Sequence, residues 1–301
     1  MFDMKKLRGI IPPIVTPVDG SENVDAGGLR RIIDHVLKGG VHGIFVLGSN
    51  GEFYALDDQN QKRAVELSVQ QVEGRVPVYA GAGSISTKSC IRFADMARGA
   101  GADALTVLTP MFVSPSDDEL YIHFKTIAEH SKLPLLLYNN PGKTGNNISM
   151  GLLKKLAGID NIVGIKNTTL DLSQSLHFLH ETRGIKNFKI LAGSDFYIYS
   201  LLAHGGAGAV AGTANVAPAL VVEIYERFNA GDHQGAIEAQ NRLFPLRNAY
   251  GLASFPVVMK DCLNLMGMNI GSAVKPIQNC SGEQLEALKV VLKDLKLIDQ
   301  E

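Results

Sequence analysis

Three groups of residues in this sequence have types and spacings suited to chemistry on a carbonyl compound. The first is Lys166, which ends the run Ile162-Val163-Gly164-Ile165 and is followed by Asn167-Thr168-Thr169. Such a run has the pattern of a strand buried on both faces, which leaves its last side chain at the lip of a core. Desolvation there disfavours the ammonium and frees the neutral amine that attacks a carbonyl to form a Schiff base. The alternative is a lysine that reaches from the strand end to water. The second is Tyr138, at the end of the apolar run 133–138, where a phenol can shuttle protons. The third is the turn Gly48-Ser49-Asn50-Gly51-Glu52, whose backbone N–H groups and hydroxyl suit the carboxylate of a 2-oxo acid. Each has an ordinary reading too, as generic turn chemistry or a capped core tyrosine. Taken together they favour a site.

These residues need a scaffold that brings strand ends to one place. Short apolar runs at 9–15, 43–47, 76–81, 104–108, 133–138, 162–166, 188–192 and 207–211 read as strands. Each precedes an amphipathic stretch; in 25–37, for example, Leu29, Ile32, Ile33 and Val36 share one face and Gly39-Gly40 stop the helix. Eight βα units with short connections predict a (β/α)8 TIM barrel over residues 1–230. Helical patterns near 233–248, 255–266 and 282–295 predict a C-terminal helical extension, residues 231–301. An open doubly wound sheet is the competitor. Its first loop would be Thr16-Pro17-Val18-Asp19-Gly20, which is no phosphate cradle, and Gly81-Ala82-Gly83-Ser84-Ile85-Ser86 is only a partial dinucleotide fingerprint. In the barrel, Ser49 and Asn50, Thr109, Tyr138, Lys166, Gly193-Ser194-Asp195 and Gly212-Thr213 all follow strands and converge on one face.

Composition narrows the partners. With 46% hydrophobic and 20% charged residues and a net charge of −1, the chain has no basic footprint for nucleic acid. No stretch is long and apolar enough to span a bilayer. The residues Met1 to Lys6 lead into Gly9-Ile10-Ile11-Pro12-Pro13 without a signal-type apolar core. Cys90, Cys262 and Cys280 are few and far apart, so the expectation is a reducing, cytoplasmic setting without a disulfide framework. The eight histidines are scattered without ligand spacing, so no metal site is expected.

In this arrangement the sequence resembles the pyruvate-dependent class I aldolases that include dihydrodipicolinate synthase and N-acetylneuraminate lyase. The resemblance spans nearly the whole chain. It rests on Gly48-Ser49-Asn50-Gly51-Glu52, Tyr138-Asn139-Asn140-Pro141 with Thr144-Gly145, Gly164-Ile165-Lys166, Ala192-Gly193-Ser194-Asp195 and Thr213-Ala214-Asn215-Val216, in that order. It implies that Lys166 forms an imine with pyruvate or another 2-oxo acid, without a separate cofactor, and that Tyr138 gives and takes protons. It further implies that Ser49 and Asn50 hold the keto-acid carboxylate, that Val210 offers a backbone carbonyl near the imine, and that Gly193 lines the pocket. A homodimer or homotetramer is the implied assembly.

The departures from that pattern shape the expected substrate. The synthases of the family usually have two threonines where Ser49 and Asn50 stand, a tyrosine at the Phe112 position and an arginine at the Lys143 position. A phenyl ring at Phe112 cannot complete the proton relay of that tyrosine. Lys143 keeps a charge for a distal carboxylate but not the bidentate fork of arginine. Thr168 resembles the lyases of sugar-derived 2-oxo acids, where this position bonds a substrate hydroxyl, and Ser49-Asn50 resembles 4-hydroxy-2-oxoglutarate aldolases. Gly212 replaces a serine of the sialic-acid lyases, which argues against that substrate. The expectation is cleavage of a 4-hydroxy-2-oxo acid or 2-oxo-3-deoxy sugar acid to pyruvate and an aldehyde, with Thr168, Lys143 and Phe112 lining the pocket beyond Lys166. Rivals are 4-hydroxy-tetrahydrodipicolinate synthase, a deoxy sugar acid dehydratase, and a non-catalytic 2-oxo-acid sensor, for which Lys166 and Tyr138 together would be needless.

Overall fold

A computed structural model describes residues 3–299. Eight parallel strands alternate with helices: β1 (Gly9–Ile10), β2 (Ile44–Val46), β3 (Val78–Gly81), β4 (Ala104–Leu108), β5 (Leu135–Asn139), β6 (Ile162–Asn167), β7 (Lys189–Ala192) and β8 (Gly208–Ala209). Their order in the sheet is β1-β8-β7-β6-β5-β4-β3-β2, so sequential strands are neighbours. The run from Gly9 to Val15 yields a strand of only two residues because Pro12 and Pro13 have no N–H to give to a ladder. Closure comes through carbonyls instead. Phe45 N donates to Pro12 O at 2.9 Å, Ile14 N donates to Phe45 O at 2.9 Å, and a parallel bridge pairs Pro13 with Phe45. These contacts join β1 to β2, the two ends of the sheet, and make the structure a (β/α)8 barrel.

The surrounding helices form where the apolar spacing expects them, and most of the longer ones start at side-chain caps. The helix α1 (Ala26–Lys38) begins at Asp25, whose carboxylate accepts from Gly27 N, and buries Leu29, Ile32, Ile33 and Val36. After it come α2 (Asp58–Val72), α3 (Thr87–Gly99) and α4 (Asp117–His130), the last opened by a Ser116/Glu119 capping box. A short turn of helix, α5 (Pro141–Thr144), precedes α6 (Met150–Ala157), α7 (Leu172–Thr182), α8 (Ile198–Ala203) and α9 (Pro218–Asn229). The apolar faces of these helices and the outward strand residues make the larger core. A smaller core fills the barrel itself, with Ile11, Phe45, Tyr79, Leu108, Leu136, Tyr138, Leu191 and Val210 among its members.

Beyond residue 230 the chain adds α10 (His233–Ala249), α11 (Val257–Leu265) and α12 (Gly282–Asp294). They are bound to the strand C-terminal end of the barrel by polar contacts as well as packing. Gln240 donates to the Asp195 carbonyl at 2.8 Å and accepts from Tyr199 N at 3.2 Å. Lys260 and Glu52 form an ion pair in which both side chains are almost wholly buried. No helix among the described residues is long and apolar enough to cross a membrane.

Candidate active site

The strand register brings Lys166 and Tyr138 side by side. In the β5–β6 ladder Tyr138 is the direct partner of Lys166, and parallel partners point the same way. A register shift at Leu135/Leu136 makes β6 advance by two residues there, which sets Gly164 against Leu136 and carries Lys166 to the inward face beside Tyr138. Gly164 is required at this point, since a Cβ would sit 2.3 Å from the Lys189 carbonyl oxygen of β7. On the opposite face the next residues along, Asn139 and Asn167, are fully buried. Asn139 Nδ2 donates to Asn167 Oδ1 at 2.9 Å, and Asn167 Nδ2 donates to Ser175 Oγ at 2.9 Å, so a polar clamp fixes both strand ends from behind.

Lys166 is 3% exposed and Tyr138 4%. The lysine Nζ lies 3.8 Å from the Tyr138 ring centroid and 5.3 Å from that of Phe45. It does not extend to water, so the snorkelling alternative is excluded by position. Tyr138 Oη is 3.4 Å from Ser49 Oγ and accepts from Asn140 Nδ2 at 3.0 Å. Burial pushes the phenol upward, but the Lys166 charge and hydrogen bonds with Ser49, Asn140 and Lys166 outweigh it, so Tyr138 titrates below an ordinary phenol.

Around this pair is a cavity of about 460 Å³, lined among others by Ser49, Asn50, Lys143, Thr168, Gly193 and Val210. Eight of the nine residues singled out from the sequence therefore face one space. The serine–asparagine turn is bracketed by Leu47 and Glu52, both at positive φ, and its Gly51 and Glu52 N–H groups are used to close it. Asn50 Nδ2 donates to Pro13 O at 3.1 Å, which ties the turn to the first strand loop. Gly193 is packed so closely that a Cβ would lie 1.9 Å from Thr168 Oγ1. The Thr168 hydroxyl is buried and has no hydrogen-bond partner.

Phe112 corrects the expectation. It is 94% exposed, has φ of 72°, and is absent from the cavity lining. The loop after β4 is held by Asn146, whose Nδ2 donates to the carbonyls of Pro110 at 2.8 Å and Val113 at 2.7 Å, and the left-handed backbone turns the ring outward.

The structure adds residues that sequence reasoning did not select. Arg247, Tyr250, Gly251 and Phe255, from α10 and the segment after it, complete the far wall. Arg247 stacks on the rings of Phe196 and Tyr250, and Lys143 Nζ is 5.1 Å from the Phe255 ring centroid. Tyr250 Oη is buried without a hydrogen-bond partner; burial, then Asp195, drive its ionisation far above the ordinary range. No local signal marks these positions, because they meet the barrel through contacts remote in sequence. Asp195 is structural: its carboxylate accepts from Gly212 N, Thr213 N and Thr213 Oγ1, joining the loops after β7 and β8. A larger recess of about 660 Å³ opens at the other end of the barrel, among Lys5, Arg8, Arg183 and Lys189. It lies at the strand N-terminal end and three helix C-termini and receives none of the strand-end residues. Among the described residues no group of three His, Cys, Asp or Glu side chains is placed to hold a metal ion.

A closed barrel with a buried lysine and tyrosine at its strand C-terminal ends defines a lyase of the class I aldolase type. The profile of the Dihydrodipicolinate synthetase family matches residues 6–295, and the chain belongs to that family. It is 36% identical over 297 residues to the 4-hydroxy-tetrahydrodipicolinate synthase of Methanopyrus kandleri, covering 98% of each chain. It is 35% identical over 295 residues to an uncharacterized DapA-like lyase of Halobacterium salinarum, covering 97% of this chain and 95% of the other. Among solved structures, a prophage protein of the dihydrodipicolinic acid synthase family from E. coli K12, crystallised with pyruvate, superposes with a TM-score of 0.94 at 31% identity, covering 97% of this chain and 99% of the other.

Proposed function

We propose that Lys166 forms a covalent imine with pyruvate, without metal or separate cofactor, and that the enzyme cleaves a 4-hydroxy-2-oxo acid to pyruvate and an aldehyde. The observation that carries this is the buried Lys166–Tyr138 pair with Nζ against the phenol ring. The neutral amine adds to the 2-oxo carbon, Tyr138 gives its phenolic proton so that the hydroxyl leaves as water, and the protonated imine accepts the electron pair of the C3–C4 bond as it breaks. Tyr138, anionic, takes the C4 hydroxyl proton, and the aldehyde departs. The remaining enamine is protonated at C3, and hydrolysis returns Lys166 and pyruvate. Ser49 and Asn50 are the proposed carboxylate holders, with Val210 offering its carbonyl near the imine and Gly193 leaving room beside it. Thr168 and Lys143 face the part of the substrate beyond C4. Family structures that contain pyruvate support the first half of this reading.

A second reading, condensation of pyruvate with aspartate semialdehyde, is favoured by the names of the synthase relatives. The Ser49-Asn50 pair, Phe112 in place of the relay tyrosine, and Lys143 in place of arginine argue for the cleavage reading. Borohydride reduction in the presence of pyruvate, followed by peptide mass spectrometry, tests the shared chemistry: the adduct is expected on Lys166, and an adduct elsewhere or none refutes it. Turnover with aspartate semialdehyde equal to that with 2-oxo-3-deoxy sugar acids would overturn the substrate assignment.

The proposed assembly is a homodimer or homotetramer, which would cover the outward ring of Phe112; light scattering that gives a monomer at micromolar concentration rejects it. A cytoplasmic setting is in keeping with three cysteines that are all unpaired.

A further inference from the structure

Asn140 precedes Pro141 at the start of α5 and stands in the N-cap position of that helix. Its carbonyl accepts from Lys143 N at 3.0 Å and Thr144 N at 3.1 Å, so the backbone is committed to the turn. An asparagine there ordinarily also gives its side-chain oxygen to an N–H of the first turn. Asn140 makes no such bond. Its φ of −146° and ψ of 72° swing the side chain away from the helix, and its buried amide meets Tyr138 Oη at 3.0 Å instead. A residue type suited to capping has thus been turned from the helix end into the cavity.

We propose that Asn140 is a positioning residue whose amide holds the Tyr138 oxygen, directing the phenolic hydrogen toward Ser49 and stabilising the oxygen when it is anionic. The inference rests on the Schiff-base reading above. A phenol oxygen has two lone pairs and one hydrogen. Asn140 Nδ2 donates into one lone pair, and Ser49 Oγ, at 3.4 Å, stands where it can accept the phenolic hydrogen. During turnover the Lys166 nitrogen becomes part of the imine, whereas the amide does not react. Asn140 is therefore the donor that stays with Tyr138 through every step, and its bond becomes charge-assisted each time Tyr138 is deprotonated. The lowered titration of Tyr138 agrees with this geometry.

The test uses pyruvate alone. Exchange of pyruvate methyl hydrogens with solvent deuterium is followed by NMR against pH in the parent, Asn140→Leu and Asn140→Asp enzymes. Tyrosinate absorbance, taken as the difference from Tyr138→Phe, gives the titration directly. Asn140→Leu is expected to move the Tyr138 limb up by about one pH unit, and Asn140→Asp further, since a carboxylate beside the phenol opposes its ionisation. Aspartate has the size and shape of asparagine, so Asn140→Asp is expected to fold, shown by a single cooperative urea transition, while its pH profile moves. That variant carries the test if Asn140→Leu does not fold. A pyruvate adduct on Lys166 with an unmoved limb in the folded variants overturns the role of Asn140. Failure of the parent to form the adduct overturns the underlying reading instead.

Discussion

Lys166 Nζ sits over the face of Tyr138 at 3.8 Å from the ring centroid, and the two residues are direct partners in the β5–β6 ladder. The proposed nucleophile and proton carrier are therefore fixed relative to each other by strand pairing. A single-residue slip of β6 would turn Lys166 to the helix side of the barrel.

Removal of the Tyr138 hydroxyl is expected to separate the steps. Tyr138→Phe keeps the ring against Lys166, so borohydride trapping of pyruvate on Lys166 is expected to persist at a reduced rate. Steady-state cleavage is expected to fall by about a hundred- to ten-thousand-fold, the usual worth of positioned acid–base catalysis. A cleavage rate within a few-fold of the parent removes Tyr138 from the mechanism.

Gly193→Ala tests the packing beside the site. A methyl group there meets Thr168 Oγ1 and the Asn167 carbonyl. The hydroxyl must rotate or the strand end must move, so the expected result is a higher KM for the hydroxylated substrate with pyruvate trapping retained. An unchanged KM would show that Thr168 does not touch substrate.

The Glu52–Lys260 pair invites a double-mutant cycle. Glu52 Oε1 accepts from Val274 N at 2.7 Å, and Lys260 Nζ also donates to Ser272 O at 2.9 Å. Glu52→Gln leaves a buried ammonium without its counter-charge and is expected to cost about 3–5 kcal/mol in urea unfolding, much of it recovered in Glu52→Gln/Lys260→Met. Strict additivity of the two single costs would argue against coupling. Burial already outweighs the pull of Glu52 and lowers the Lys260 titration.

His123 predicts an acid dependence of stability. Its Nδ1 is 2.9 Å from Thr87 Oγ1, and burial depresses its pKa from 6.5 to about 4. The folded protein holds this ring neutral while the unfolded chain takes up a proton below about pH 6.5, so stability is lost as pH falls from there toward 4. At pH 5 the loss from this group is about 2 kcal/mol relative to pH 7. His123→Gln is expected to flatten that part of the urea-midpoint profile; an unaltered slope refutes it.

The barrel and the core of its site were legible because both are written locally. Strand candidates end on Tyr138 and Lys166, the polar turn follows Leu47, and strand C-terminal ends must converge once the barrel closes. What escaped was set by geometry without periodicity. Pro12 and Pro13 cut the first strand to two residues, although the apolar run continues to Val15. The direction of the Phe112 ring depends on a positive φ and on Asn146 clamping the loop from more than thirty residues away. Arg247 and Tyr250 belong to a helix whose pattern marks only which face is apolar. The turning of Asn140 away from its cap is a side-chain choice that an Asn-Pro dipeptide leaves open.

The Glu52–Val274 hydrogen bond joins residues 222 positions apart in the chain. The turn that carries Ser49 and Asn50 therefore gains this brace only once residue 274 has been made and has folded back onto it. All eight strands precede residue 210, so the turn that carries the proposed carboxylate holders is braced by a part of the chain made after every strand of the barrel.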